Sequence, residues 1–148
     1  MKVTGRTRID GTPEEVFEHL LDAQVLRTCI PGCESLERTG QGAYDMLVRA
    51  GVGSVKGSFK GTVALEDVVA PSGYRMTVEG KSTVGYVRGG ARVTLAADGD
   101  ATAVSWEGEA KVSGVIASMG GRLLEVAAKS VTNKFFSNLM ELRGTSAS

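Results

Sequence analysis

Residues 104–112 (VSWEGEAKV) and residues 119–143 (MGGRLLEVAAKSVTNKFFSNLMELR) lie on either side of a change in hydrophobic period near Gly114. In the first segment, apolar or small residues alternate with polar ones, which is typical of a strand with one face on a core and one in water. In the second, apolar residues recur every three to four positions, which is typical of an amphipathic helix of roughly 25 residues, about 37 Å long. The residues of this stripe are Leu123, Val126, Ala127, Val131, Phe135, Leu139 and Leu142.

Upstream of this pair, the chain is predicted to begin with a strand and two short helices. Residues 3–9 alternate apolar or small with polar positions. Residues 12–15 (TPEE) predict a helix start, because they combine a threonine cap, a proline in the first turn and a glutamate three residues after the cap. A second helical turn at residues 24–28 is expected to end before Pro31, since the residue that precedes a proline avoids the helical region.

Between these helices and the final helix, residues 33–112 have the alternation and the turn signals of about six strands. Helices at the two ends of an antiparallel sheet are the α+β pattern. We therefore predict a curved antiparallel sheet of about seven strands that wraps around the long C-terminal helix. Residues 1–143 are expected to form one domain, and residues 144–148 a disordered tail.

Composition excludes several classes of function. The chain has 17 Lys and Arg residues and 17 Asp and Glu residues, so interspersed that the sequence predicts no face that collects the basic ones. Nucleic acid is therefore not an expected partner. The N-terminus does not resemble a secretory signal, and no run approaches the roughly 18 apolar residues that span a bilayer. With only two cysteines, a reducing, cytoplasmic setting is expected.

The motifs that could carry chemistry have plainer explanations. The glycine-rich run 51–58 reads Lys-Gly-Ser where a phosphate-binding loop requires Gly-Lys-Ser or Gly-Lys-Thr. Cys29 and Cys33 flank an Ile-Pro-Gly turn that prevents the two thiols from aligning on one helix face, so small apolar residues at a turn are favoured over a redox pair. The single histidine, His19, cannot complete a zinc site and is expected to be exposed. Most strand carboxylates are expected to face solvent, which leaves a buried acid–base pair unsupported.

The predicted sheet is wider than one helix, so the helix alone does not fill its concave face. Inward glycines and alanines are expected to add space, and the methionines and aromatic residues around them favour an apolar guest. The predicted ligand-binding residues are Leu26, Ile30, Met46, Val48, Val55, Phe59, Met76, Val78, Tyr86, Val87, Trp106, Met119, Leu123, Val126, Ala127 and Phe135.

Three spaced segments carry a family resemblance. They are residues 12–17 (TPEEVF) with Leu26 and residues 29–36 (CIPGCESL), then residues 55–61 (VKGSFKG) with Pro71 and Tyr74, and finally Gly114 with residues 120–124 (GGRLL) and 135–136 (FF). In these segments the chain resembles the carbon monoxide dehydrogenase G-subunit family, of the START-like (SRPBCC) helix-grip superfamily. The Cys-Ile-Pro-Gly-Cys segment is the most specific part of the resemblance.

The resemblance implies a non-enzymatic accessory protein of a molybdenum-containing carbon monoxide dehydrogenase or a related hydroxylase. Such a protein is cytoplasmic, peripheral to the inner face of the membrane and in transient contact with it. The superfamily's cavity implies an apolar small molecule, and together these properties suggest a respiratory quinone such as menaquinone, which would take part in electron transfer. No intrinsic cofactor or metal is implied.

Two alternatives remain open at this stage. The first is an enzyme of the same superfamily, a cyclase or hydrolase, which would need polar groups in the cavity; the candidates are Tyr44, Tyr86, Ser105 and His19. The second is an assembly scaffold that docks on the dehydrogenase without a ligand.

Overall fold

The computed structural model describes residues 1–147, with side chains as far as Gly144. Its strands are β1 (Lys2–Asp10), β2 (Cys33–Gly40), β3 (Ala43–Val52), β4 (Val55–Val69), β5 (Gly73–Ser82), β6 (Gly85–Asp98) and β7 (Ala101–Ser113). Its helices are α1 (Pro13–Leu21), α2 (Ala23–Cys29), a 3-10 helix (Val115–Met119) and α3 (Gly121–Ala147). This order confirms the predicted α+β architecture.

The seven strands form one antiparallel sheet in the order β1-β7-β6-β5-β4-β3-β2. β2 to β7 follow one another as hairpins, and β1 closes the far edge against β7. Directly paired residues share a face of a sheet. The register pairs Val93 with Trp106, and Trp106 with Gly5, so it places these residues on the concave face beside the helices.

The two short helices form where the sequence predicts them. Thr12 Oγ1 accepts a hydrogen bond from the Glu15 amide at 3.2 Å, and Pro13 occupies the first turn of α1. Asp22 ends α1 and also caps α2, because its Oδ1 accepts from the amides of Gln24 (2.8 Å) and Val25 (3.2 Å). A shared cap leaves no room for a loop, so α2 follows α1 directly.

Buried apolar side chains form two separate clusters. The first core cluster lies where α1, α2 and the C-terminal half of α3 cover the sheet. Its buried members are Ile9, Val16, Phe17, Leu20, Cys29, Tyr74, Val93, Leu95, Val104, Phe136 and Leu139. The second core cluster is smaller and joins Val52, Phe59 and Ile116 to half-buried neighbours from the 3-10 helix and the start of α3.

The face that α3 turns toward the sheet differs in part from the predicted stripe. Ala127, Phe135, Leu139 and Leu142 pack against the core as predicted. The expectation was wrong for three positions, and the exposed side chains are Leu123, Val126 and Val131. The physical reason is that Leu124, one residue or about 100° around the helix from Leu123, packs inward beside Ala127 and takes the place predicted for Leu123. Periodicity does not choose between adjacent stripes; packing does.

The C-terminal end of α3 is anchored by Arg143. Its Nη2 donates to the Asp10 carbonyl at 2.7 Å, and its Nη1 lies 2.6 Å from Nδ1 of His19. Gly11, with φ at +117°, leaves room for the guanidinium, because a Cβ there would lie 2.1 Å from Nη2. The expectation of an exposed His19 is therefore wrong: the ring is half-buried against Arg143. It lies on α1 beside the end of α3, a neighbour that sequence spacing does not reveal.

The helix continues to Ala147, beyond the boundary predicted at residue 143. Gly144 stays helical, since one glycine costs a helix only about 1 kcal/mol and no proline follows it. Of the predicted tail, Ser148 lies outside the described residues.

Tyr74 gives the first core cluster an expected sensitivity to alkaline pH. The ring packs edge-on against Phe17 at 6.0 Å, and burial raises the pKa of its hydroxyl above the ordinary value of 10.0. The folded state thus favours the neutral phenol, and the stability this provides is lost as pH rises above about 10. We expect the free energy of unfolding to fall between pH 8 and pH 11 in both proteins, and to fall less in Tyr74→Phe than in the wild type. Urea denaturation at the two pH values measures this. Equal losses in the two proteins would contradict this.

Candidate ligand-binding site

The concave face of the sheet has an apolar strip that belongs to neither core cluster. It consists of Met46 and Val48 on β3, Val63 on β4 and Val78 on β5, all of them half-buried. The register makes them one surface, because Val63 lies opposite Val78 and Met46 lies opposite Gly61. We call these four residues the floor.

Helix α3 crosses above the sheet with both ends held. Its close backbone approaches are to α2, β1, β3 and the 3-10 helix. The floor side chains keep part of their surface accessible, whereas the buried members of the two clusters are almost fully covered. Leu26 on α2 and Ile30 at its C-terminal cap are also half-buried and belong to neither cluster. Apolar surface that is shielded but not packed is what a site for an apolar molecule requires.

The glycines of the concave face have two different roles. A Cβ at Gly80 would meet Phe59 at 3.7 Å, an ordinary contact, and one at Gly61 would lie 3.0 Å from the flexible Met46 side chain. A Cβ at Gly108, by contrast, would lie 2.2 Å from the Gly90 carbonyl oxygen, and one at Gly89 would lie 2.6 Å from that of Glu109. The expectation that all inward small residues add space is therefore wrong for Gly89 and Gly108, which allow close approach of β6 and β7.

Half of the predicted ligand-binding residues belong to the core. Three of them pack against the first cluster: Met76, Trp106 and Phe135. Five belong to the second cluster: Val55, Phe59, Val87, Met119 and Ala127. Trp106 covers Gly5 and stacks on Phe136 with ring centroids 4.7 Å apart.

Five predicted residues remain at the floor or beside it: Met46, Val48, Val78, Leu26 and Ile30. Val63 completes the floor and was missed, although its alternation with Thr62 and Ala64 in β4 marks it as inward. Leu123 and Val126 face solvent and are not part of this site.

Tyr86 lies on the opposite face of the sheet, so the prediction that it faces inward is wrong. Its hydroxyl donates to the Glu79 carboxylate, its ring lies 5.9 Å from Nζ of Lys81, and the hydrogen bond to Glu79 raises the pKa of the phenol. Side chains alternate between the two faces of the sheet along a strand. Because Val87 pairs with Val112 on the concave face, the preceding residue, Tyr86, points to the outer face.

The polar groups required by the enzyme alternative are engaged elsewhere. Tyr44 donates to the Leu21 carbonyl at 2.6 Å, and Ser105 shares a 2.6 Å hydrogen bond with Thr94 on the outer face. His19 contacts Arg143, and Tyr86 contacts Glu79. The alternative of a cyclase or hydrolase therefore loses its four candidate residues.

Cys29 and Cys33 are free thiols. Burial raises the pKa of both, and Cys33 Sγ contacts the Ser35 carbonyl at 3.4 Å. A raised pKa disfavours the reactive thiolate at neutral pH. Within residues 1–147, no group of three or more His, Cys, Asp or Glu side chains is placed to hold a metal ion. None of the described helices has the length and apolar character needed to cross a bilayer.

Shallow grooves also cross the outer face of the sheet. Their lining mixes charged residues, among them Glu66, Arg75, Arg92 and Glu107, with apolar ones such as Met76 and Val78. Such a lining does not suit an apolar guest, so the floor remains the candidate site.

Solved structures resemble the chain along its whole length. A conserved protein from Geobacillus kaustophilus is 29% identical with a TM-score of 0.93, covering 99% of this chain and 97% of that one. A protein from Thermus thermophilus is 15% identical with a TM-score of 0.75, covering all of both chains. A START superfamily protein from Mycobacterium smegmatis is 11% identical with a TM-score of 0.69, covering 95% and 94%. The last two show the fold alone.

A comparison with curated proteins finds no match. The family model of the carbon monoxide dehydrogenase G-subunit (CoxG) matches residues 5–142. That match includes both core clusters, the floor and nearly all of α3. The chain therefore belongs to the carbon monoxide dehydrogenase G-subunit (CoxG) family, with a START-like fold.

Proposed function

We propose that this domain is an accessory protein that carries a respiratory quinone, such as menaquinone, between the membrane and a molybdenum-containing carbon monoxide dehydrogenase. The quinone would lie on the floor beneath α3 and accept electrons at the dehydrogenase. The domain itself would supply no redox centre and would act at the inner face of the membrane.

The observation that carries the proposal is the apolar floor between the two core clusters. Met46, Val48, Val63 and Val78 are half-buried on the concave face and belong to neither core cluster. Burying apolar surface stabilises a protein by about 25 cal/mol for each Å² removed from water. A guest that covers the exposed part of these four side chains would gain that free energy. A planar quinone ring with an isoprenoid chain has the apolar surface to do so. Family membership supports the dehydrogenase as partner.

Val78→Phe tests the site, with Thr77→Phe as the matched control. Val78 pairs with Val63 and Gly89 on the concave face, so a phenylalanine there would occupy the space above the floor. Thr77 precedes it in β5 and points to the outer face, where a ring leaves that space unchanged. We expect Val78→Phe to weaken menaquinone binding at least about tenfold, measured by quenching of Trp106 fluorescence, and Thr77→Phe to bind as the wild type does.

The native ligand is identified by mass spectrometry of organic extracts. The three proteins would be expressed in the same menaquinone-producing cells and extracted in parallel. We expect quinone in wild type and Thr77→Phe, and little in Val78→Phe. A wild type without extractable quinone, or equal amounts from all three proteins, would overturn the proposal. Thermal unfolding confirms that Val78→Phe is folded.

A further inference from the structure

The C-terminal end of α3 is held by a polar side-chain cluster that lies outside both core clusters. It consists of Glu15 and His19 on α1, Arg143 on α3 and the carbonyl group of Asp10 at the end of β1, and is here called the latch. Nη1 of Arg143 lies 2.6 Å from Nδ1 of His19. Nη2 donates to the Asp10 carbonyl oxygen at 2.7 Å and lies 3.6 Å from Oε2 of Glu15. The Arg143 side chain is only 11% exposed, so these contacts replace most of its hydration.

The contact with Arg143 determines the protonation state of His19. A guanidinium has five N–H donors and no acceptor, and it stays charged in proteins. Nδ1 of His19 must therefore accept the hydrogen bond, so the imidazole is neutral and carries its proton on Nε2. A protonated ring has an N–H on both nitrogens and would place two cations together with no acceptor between them. The latch can thus form only when His19 is neutral.

Glu15 provides an alternative partner for a protonated His19. The two residues lie four positions apart on α1, a spacing at which a carboxylate and a cation pair on a helix surface. His19 also belongs to the last turn of α1, where the helix dipole favours a positive charge. Protonation of His19 would therefore turn the Glu15 carboxylate from Arg143 toward the imidazolium. Both contacts of Arg143 with α1 would then be lost.

The buried guanidinium of Arg143 is only partly satisfied. Its Nε is buried and has no hydrogen-bond partner among the residues that the structure describes. A buried N–H without a partner costs free energy, which exposure to water restores. The arrangement in which Arg143 points into water is therefore accessible once the contact with His19 is lost.

The other charged groups around the latch are acidic. They lie at the end of β1, on α1, in the turn before β7 and on α3, where Gly11 bonds to the carbonyl of the turn residue. All of them are exposed, and they are Asp10, Glu18, Asp22, Asp100 and Glu141. Exposed carboxylates do not oppose a positive charge on the imidazole. Among the described contacts, the one with Arg143 is therefore what opposes protonation of His19.

We propose that the latch is a pH-sensitive switch, closed at neutral pH and opened when His19 gains a proton. Histidine side chains ordinarily change charge between pH 5 and pH 8, so the switch would respond within that range. Because the closed latch requires the neutral imidazole, the stability it provides is lost as pH falls. Phe136 and Leu139 stay buried in the first core cluster, so opening frees only the end of α3 from Arg143 onward.

The latch holds the helix that covers the floor. Loosening one end of α3 at low pH would ease the exchange of a guest between the floor and its surroundings. This consequence rests on the proposed function, whereas the switch itself does not.

NMR of the imidazole tests the switch directly, because His19 is the single histidine of the chain. Nitrogen-15 shifts distinguish the two neutral tautomers from each other and from the protonated ring. We expect the tautomer with the proton on Nε2 at pH 7.5 and the protonated ring at pH 5.0. A proton on Nδ1 at pH 7.5 would overturn the proposal, because such a ring cannot accept from Arg143. A ring that stays neutral at pH 5.0 would overturn it as well.

Hydrogen exchange measures the opening, with His19→Asn as the matched control. The asparagine amide oxygen occupies the position of Nδ1 and accepts from Arg143, but it does not titrate. We expect the protection factors of the amides at residues 141–144 to fall at least about tenfold from pH 7.5 to pH 5.0 in the wild type, and to stay constant in His19→Asn. Arg143→Gln is expected to show low protection at both pH values. Equal losses in wild type and His19→Asn would overturn the switch, and thermal unfolding checks that both variants are folded.

Menaquinone dissociation, followed by Trp106 fluorescence, tests the consequence for the guest. We expect it to be at least about threefold faster at pH 5.0 than at pH 7.5 in the wild type, with no such difference in His19→Asn. Equal rates in the two proteins would overturn the link between the latch and the guest. If the quinone proposal fails, the NMR and exchange results for the latch remain; if the latch proposal fails, quinone binding at neutral pH remains.

Discussion

Gly108→Ala is expected to lower the free energy of unfolding by about 3 kcal/mol, although it adds a single methyl group. The new Cβ would lie 2.2 Å from the Gly90 carbonyl oxygen and 2.7 Å from the Cβ of Ala91. One of these contacts is with backbone in a paired strand, so relief requires β6 and β7 to separate where the sheet bends. At this chain length the loss corresponds to a fall in Tm of roughly 6–12 °C.

Gly80→Ala is the matched control for this prediction. Gly80 also lies on the concave face, but its Cβ would meet Phe59 at 3.7 Å and needs no rearrangement. An alanine that fits without strain restricts the unfolded chain and stabilises a protein by about 0.4–1 kcal/mol. Urea denaturation of both variants checks the contrast. Similar destabilisation by the two would contradict the different roles assigned to these glycines.

Leu139→Ala is expected to destabilise the protein by about 3–4 kcal/mol. Leu139 is completely buried in the first core cluster, where α3 meets α1 and the sheet. The adjacent Asn138 donates to the Cys29 carbonyl at 2.9 Å, which fixes this turn of α3 against α2 and limits how far the cavity can collapse. Where the surrounding residues cannot move in to fill the cavity, the loss of unfolding free energy lies in the upper part of the range for leucine-to-alanine substitutions.

Met140→Ala provides the comparison, because Met140 is the next residue in α3 and its side chain is exposed. We expect it to change the free energy of unfolding by less than about 0.5 kcal/mol. Denaturation monitored through Trp106 measures both variants. A loss below about 1 kcal/mol for Leu139→Ala would show that α3 is held mainly by the Arg143 contacts and not by apolar packing.

Elements whose signal is local were predicted well. The capped start of α1 depends on Thr12 and Glu15, which are three residues apart, and the alternation of β7 depends on neighbouring residues. The stripe of α3 was predicted only in part, because Leu123 and Leu124 compete for the same role and only the sheet selects between them. The prediction that Tyr86 faces inward was wrong for a related reason, since a shift of one residue along a strand moves a side chain to the opposite face of the sheet.

The sequence by itself determined the α+β class, the seven strands, the long helix and the family, because periodicity, caps and spaced motifs are properties of short segments. Only the tertiary structure decided which apolar residues fill the core and which four remain half-hydrated on the floor. It also decided that Arg143 lies against His19, although the two residues are 124 positions apart in the chain. The physical reason is that burial and local charge are set by contacts between residues far apart in sequence, and composition averages over those contacts.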